Sequence, residues 1–170
     1  MPLRVPRLVA RSTRLYALAL ASLLAAPLLT GCPRTITPAE IEQHGTRPYP
    51  TKSRAQVVKA SAAALQTLGF DVVVVDEQHG WVKTAPKVMQ THAVGNAYGA
   101  TAIQDSLAWT LEIDAAGSGA LVHAHPRAYR NGQSLDERNM LAAYMERAFN
   151  DLFREIDSNL SGHYLAAPQK

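Results

Sequence analysis

Residues 107–114 alternate without a fault: Leu107, Trp109, Leu111 and Ile113 are apolar, and Ala108, Thr110, Glu112 and Asp114 between them are small or polar. Successive side chains on a strand point to opposite faces, so a period of two describes a strand with one face that must be covered and one that meets water. Residues 115–119 carry two glycines and turn the chain, and residues 120–128 return it as an antiparallel partner. Setting Ile113 opposite Val122 keeps both on the apolar face. The same register puts Glu112 opposite His123 and Thr110 opposite His125. Pro126 has no N–H to give to a ladder, which predicts an edge position or a bulge there.

Elements that could cover the apolar face lie on either side. Ser53-Arg54-Ala55-Gln56 has the spacing of a capping box, and Val58, Ala62, Leu65 and Leu68 follow as one helical stripe, with Gly69 as the left-handed cap. Residues 70–75, four of them the β-branched Val72 to Val75, read as a strand, residues 76–80 as a tight turn, and residues 81–89 as the returning strand. With Val74 opposite Val82, Phe70, Val72 and Val74 share the helix-covered face, while Val73, Val75 and Trp81 point the other way. Residues 90–103 are rich in Gly and Ala. They lack the Gly-x-Gly-x-x-Gly spacing of a phosphate cradle and read as a flexible hairpin tip. A second capping-box pattern, Ser134-Leu135-Asp136-Glu137, predicts a long helix whose stripe is Leu141, Met145, Ala148, Phe149, Leu152, Ile156 and Leu160, closed by Gly162.

The resulting order is α-β-β-β-β-α. It predicts an α+β domain over residues 51–163, with one antiparallel four-stranded sheet and two helices packed on one face. Residues 33–50 contain four prolines and no sustained apolar period, so residues 32–50 read as a tether able to hold the domain several nanometres from its anchor. Residues 164–170 read as a flexible tail.

At the other end of the chain, Arg4, Arg7, Arg11 and Arg14 precede an apolar run over residues 16–29, too short for a spanning helix of roughly 20 apolar residues. A basic segment, a short apolar segment and then small residues make a secretory signal over residues 1–31. The run ends in Leu29-Thr30-Gly31-Cys32, which resembles the lipobox of bacterial lipoproteins. That resemblance implies that Cys32 is acylated and becomes the mature N-terminus, held in the envelope by its lipid, most simply on the outer membrane facing the periplasm. The whole chain has 17 Lys plus Arg against 14 Asp plus Glu, but four of the arginines precede Cys32. The remainder is near neutral and its basic residues are scattered, so it lacks the clustered basic surface that nucleic acid requires. Cys32 is the only cysteine, which excludes a disulfide and a thiolate metal site from the domain.

Leu68-Gly69-Phe70, Asp76 and Gly80-Trp81-Val82-Lys83-Thr84 together resemble a pattern of the helix-grip domains of the BamC family. The resemblance implies a helix-grip fold and a non-catalytic lipoprotein that binds other envelope proteins, as an accessory subunit of an outer-membrane assembly. BamC-like proteins have two such domains and a long docking segment, whereas this chain has room for one domain and a short tether. A hydrolase is disfavoured because no serine sits in a Gly-x-Ser-x-Gly elbow, and no cofactor is implied. The alternative is a periplasmic module for a small ligand or a metal. His123 and His125 are two apart on a strand and so share a face, and Glu112 opposite His123 is the candidate third ligand. An ordinary cross-strand His–Glu pair is the simpler outcome of the same register. The candidate partner surface is Val73, Val75 and Trp81. Intact-mass measurement of the membrane fraction should give a chain beginning at an acylated Cys32; a product that retains Met1, or is cleaved elsewhere without lipid, refutes the lipobox reading.

Overall fold

The computed structural model describes residues 34–96, 99–136, 140 and 142–162. Among these, three helices and seven strands follow one another as α1 (Pro38–Gly45), β1 (Thr46–Tyr49), α2 (Arg54–Thr67), β2 (Val72–Asp76), β3 (Trp81–Thr84), β4 (Lys87–Asn96), β5 (Gly99–Ala116), β6 (Gly119–Arg130), β7 (Gln133–Ser134) and α3 (Ala142–Leu160). The class is α+β with one antiparallel sheet, as the patterning predicts. The sheet has seven strands, however, rather than four. Its order is β1-β6-β5-β3-β2, with β4 also on β5 and β7 also on β6.

Strand β5 organises the rest. Leu107, Trp109, Leu111 and Ile113 are all at most 2 % exposed, and Val122 and Ala124 of β6 share their face. The β5–β6 register is the expected one, Ile113 opposite Val122 and Glu112 opposite His123. From the helix side, α2 buries Val57, Val58, Ala64 and Leu65, and α3 buries Met145, Phe149, Leu152, Phe153 and Ile156 in the same core. Phe149 meets Trp109 edge to face, with ring centroids 5.3 Å apart, the arrangement favoured by the ring quadrupoles. The Ser53–Gln56 capping box that starts α2 is formed on both sides.

Where a single strand was expected over residues 81–89, there are two. Both lie on the same edge of β5: Trp81 to Lys83 pair with Glu112 to Thr110, and Lys87 resumes opposite Leu107. Pro86 stands at the break, where its missing N–H and the restriction it imposes on Ala85 interrupt a ladder. The Thr84 hydroxyl accepts the buried Trp109 N–H at 2.9 Å and supplies the bond that the backbone no longer makes.

Three further expectations are corrected. Residues 34–50 are part of the domain: Ile36, Ile41 and Tyr49 are buried, Thr37 and Glu40 form a complete capping box with Pro38 in the first turn, and β1 extends the sheet beyond β6. Ser134 caps no helix, since it lies in β7 opposite Tyr129, and α3 begins at Ala142. Residues 90–96 and 99–103 are not loop but a regular antiparallel ladder, from Gln90 opposite Asp105 to Asn96 opposite Gly99. Pro126 lies inside the sheet opposite Trp109. Its other side is where, among the described residues, no strand lies against β6, because β1 reaches only to His123 and the pairing with β7 starts at Tyr129.

Gly80 closes the β2–β3 turn at φ +80°, and its carbonyl accepts the Ile113 N–H at 2.8 Å. A Cβ there would overlap the Ile113 carbonyl, whereas Gly117, also left-handed at φ +60°, faces open space. Gly117→Ala should therefore cost about 1–2 kcal/mol of left-handed strain. Gly80→Ala should cost about 2 kcal/mol more, from the added overlap, and urea unfolding compares the two. Equal losses would show that close approach to β5 is not what reserves position 80 for glycine.

Candidate functional site

Helices α2 and α3 cover one face of the sheet, and α1 sits against β6 beyond the start of β1, with a Cβ on Gly45 excluded by the Ala124 carbonyl and Phe149. The opposite face carries no helix among the described residues. Residues directly opposite on paired strands share a face, so the registers lay two rows across this side. One runs Thr46, His123, Glu112, Trp81 and Asp76; the next runs His125, Thr110, Lys83 and Val74. Trp81 is half-buried within this polar field, and the Lys83 ammonium lies 4.6 Å from its ring centroid. That cation–π contact covers part of the indole and leaves the rest toward solvent.

At the end of the sheet, β2 pairs only with β3 among the described residues. Val73, Val74 and Val75 are 58 %, 39 % and 49 % exposed. The register differs from expectation by one residue: Val75, not Val74, is opposite Val82, and Val73 is taken up in an irregularity between Val72 and Val74. Val75 therefore belongs to the helix-side face at the sheet margin. Val74, opposite Lys83, joins the face of Trp81. Of the predicted trio, Val73 and Val75 are exposed at the edge but are not on one face with Trp81, and Val74 is the residue that sequence reasoning missed. Four consecutive valines carry no period, so nothing in the sequence could have revealed the shift.

The two histidines of β6 are placed as predicted but do not converge with Glu112. His123 Nδ1 lies 3.3 Å from Glu42 Oε1 of α1 and 3.2 Å from the Thr46 hydroxyl, whereas His125 Nε2 lies 4.0 Å from Glu112 Oε2. Each imidazole has its own carboxylate, and no cluster of three potential ligands forms among the described residues. Glu112 thus makes its contact diagonally across the ladder with His125 rather than with His123 directly opposite.

A cavity of about 190 Å³ opens beneath the first turns of α3, at the root of the β4–β5 hairpin. Met89, Leu107, Met140 and Met145 give it an apolar, thioether-rich wall, and Asp105, Arg130 and Tyr144 contribute polar groups. Asp105 accepts from Arg130 Nε at 2.8 Å and from Gln90 Nε2 at 3.0 Å. These bonds, the Arg130 one foremost, hold its carboxyl below the ordinary range. Burial, reinforced by the Asp105 charge, pushes the Tyr144 hydroxyl up, so it remains a neutral donor. Sequence reasoning missed this site because its members come from five separate segments. Cys32 lies outside the described residues.

No protein-family model matches the chain, and no curated protein sequence matches it. Among solved structures, a DUF4468 family protein from Bacteroides ovatus is similar at 12 % identity and a TM-score of 0.40, over 74 % of this chain and 86 % of that one. Ara h 8.0201 is similar at 10 % identity and a TM-score of 0.33, over 69 % of this chain and 95 % of that one. Neither likeness is close enough to carry a fold or a role across.

Proposed function

We propose that this chain is a non-catalytic envelope lipoprotein: a helix-grip domain, anchored through lipid on Cys32 to the outer membrane and facing the periplasm, that binds another envelope protein through its β2 edge and the adjoining Trp81 face. The observation that carries the reading is the edge itself. Exposed edge strands are normally blunted by lysines, prolines or inward charges, because their free N–H and C=O groups recruit other strands. Residues 72–75 of β2 are all valine, with three of them exposed and no charge among them. Asp76 cannot serve as a guard, since its carboxylate accepts the Gln78 and His79 N–H groups and closes the turn. An extended segment of a partner could add to β2 as a further strand, with side-chain selectivity from the valines and from Trp81 beside them.

The helix-grip reading is supported by the 19-residue C-terminal helix packed with α2 against one face of the antiparallel sheet. No helix among the described residues is long and apolar enough to cross a membrane. Photo-crosslinking from position 73 in the full chain, in its own membrane, should capture a protein partner. Val74→Lys and Trp81→Ala should each reduce that capture at least tenfold, and for Val74→Lys the melting temperature should stay within about 3 °C, since exposed substitutions rarely cost more than about 0.5 kcal/mol. Capture unchanged by both variants would remove this surface.

The cavity favours a second reading, a small-ligand module. Its volume is close to that of an apolar cavity of about 150 Å³ known to hold a single aromatic ring, and its polar groups suit a small apolar molecule with one neutral hydrogen-bonding end. Titration with 1-hexanol should raise the melting temperature and shift the methyl resonances of Met89, Met140 and Met145, and Ala128→Leu, which narrows the space, should abolish both effects. Absence of shifts with the parent chain rejects this reading without touching the first.

A further inference from the structure

Beyond Asp105, the β4–β5 hairpin leaves the body of the sheet. Strand β6 pairs with β5 only as far as Arg130 opposite Asp105, and the Asn131 side chain and N–H close the ladder at Gln104. From there to Gly99, β5 pairs with β4 alone, and β4 pairs with nothing else along its whole length among the described residues. The result is a two-stranded arm with a free edge on each side.

Its sequence is unusual for such an element. Residues 88–104 contain no Asp, Glu, Lys, Arg or Pro. The one protective irregularity is the bulge between Val88 and Gln90 at the root, and past it the strand is regular. Val88, Met89 and Val94 are 49 %, 39 % and 53 % exposed, and Ala93, Gly95, Ala100 and Ala102 are small and exposed. An isolated two-stranded ribbon is marginal in water, whereas three or more strands can hold together. Past that bulge the arm therefore has hydrogen-bonding groups to satisfy and none of the devices that keep edges apart.

We infer that this arm pairs with the arm of a second copy of the chain, β4 against β4 in antiparallel fashion, to make a four-stranded ribbon. Two features single out a second copy as the occupant. Identical strands paired antiparallel about a two-fold axis are self-complementary by construction, because each contact is made twice. The absence of fixed charge over residues 88–104 also removes the like-charge repulsion that any charged arm would feel toward its own copy, while offering nothing that steers a charged partner. His92 and Tyr98 are the titratable side chains in the run, and His92 lies 4.0 Å from Asp105, with Arg130 also on that carboxylate and Tyr144 of α3 nearby. The pairing edge itself carries no switchable charge beyond that imidazole.

The test uses the full chain in detergent-solubilised membranes, with a photo-crosslinking amino acid at Thr91. An adduct at twice the monomer mass is expected. Ala93→Asp should lower its yield at least tenfold by placing like charges on the two facing strands, and mixing Ala93→Asp chains with Ala93→Lys chains should restore it as a heterodimer. That rescue separates pairing from damage to the fold, because a misfolded arm would not be repaired by an oppositely charged copy. The inference is overturned by adducts only to other proteins, by no adduct, by a dimer indifferent to Ala93→Asp, or by failure of the mixed charges to restore it.

Discussion

One hydrogen bond makes the sheet continuous: the Trp109 N–H donated to the buried hydroxyl of Thr84. Two strands in succession occupy the same edge of β5, and between them the ladder slips at Ala85 and Pro86. An unpaired buried N–H at that point would cost about 1–3 kcal/mol, and it would lie beside the most central side chain of the core, Trp109 against Phe149. With the joint satisfied, β3 and β2 can continue the sheet beneath α2, while β4 departs in a new direction along the other half of β5. The exposed β2 edge and the projecting arm both follow from that division of one long strand between two partners.

The residues that resemble the BamC pattern are accounted for by this architecture. Gly69 takes a left-handed φ of +78° after α2, Phe70 is buried, Asp76 caps the turn, Gly80 fits against Ile113, and Thr84 closes the joint. These five hold backbone or core, whereas Trp81 and Lys83 of the same stretch lie on the open face. A pattern of this kind reports how a helix, a hairpin and a neighbouring strand fit together, so it informs about fold far more than about what the domain binds.

The parts legible in the sequence were those where one periodicity had one solution. The alternation over residues 107–114 with a short turn after it set the β5–β6 register to the residue, and hence the neighbours of Glu112, His123 and His125. The helical stripes and the Ser53 capping box located α2 and the body of α3. Failure came where local signals were degenerate. Thr37-Pro38-Ala39-Glu40 has the same box spacing as Ser53 to Gln56, and Pro38 is favoured in a first turn, yet the surrounding prolines suggested a tether. Ser134 to Glu137 has that spacing too, but Ser134 is engaged in the ladder with β6, opposite Tyr129. The arm was obscured because Gly and Ala have weak strand preference, and only the pairing of two such segments shows what they form.

Folding of residues 34–50 also changes what lipid on Cys32 would do. A tether running to residue 50 would let the domain roam nanometres from the bilayer, but the described domain starts at Arg34, and Ile36 is already tied to Met140 by a backbone hydrogen bond of 2.9 Å. Two residues span at most about 7 Å, so the stretch between Cys32 and the folded domain is far shorter than a tether running to residue 50 would be. Within the sheet, β1 and β2 are the two ends of the five-strand path, separated by four spacings of about 4.8 Å, or roughly 19 Å. The chain enters the domain through α1 and β1. The β2 edge thus lies at the far end of the sheet from β1, where a partner's extended segment can approach without meeting α1 or β1.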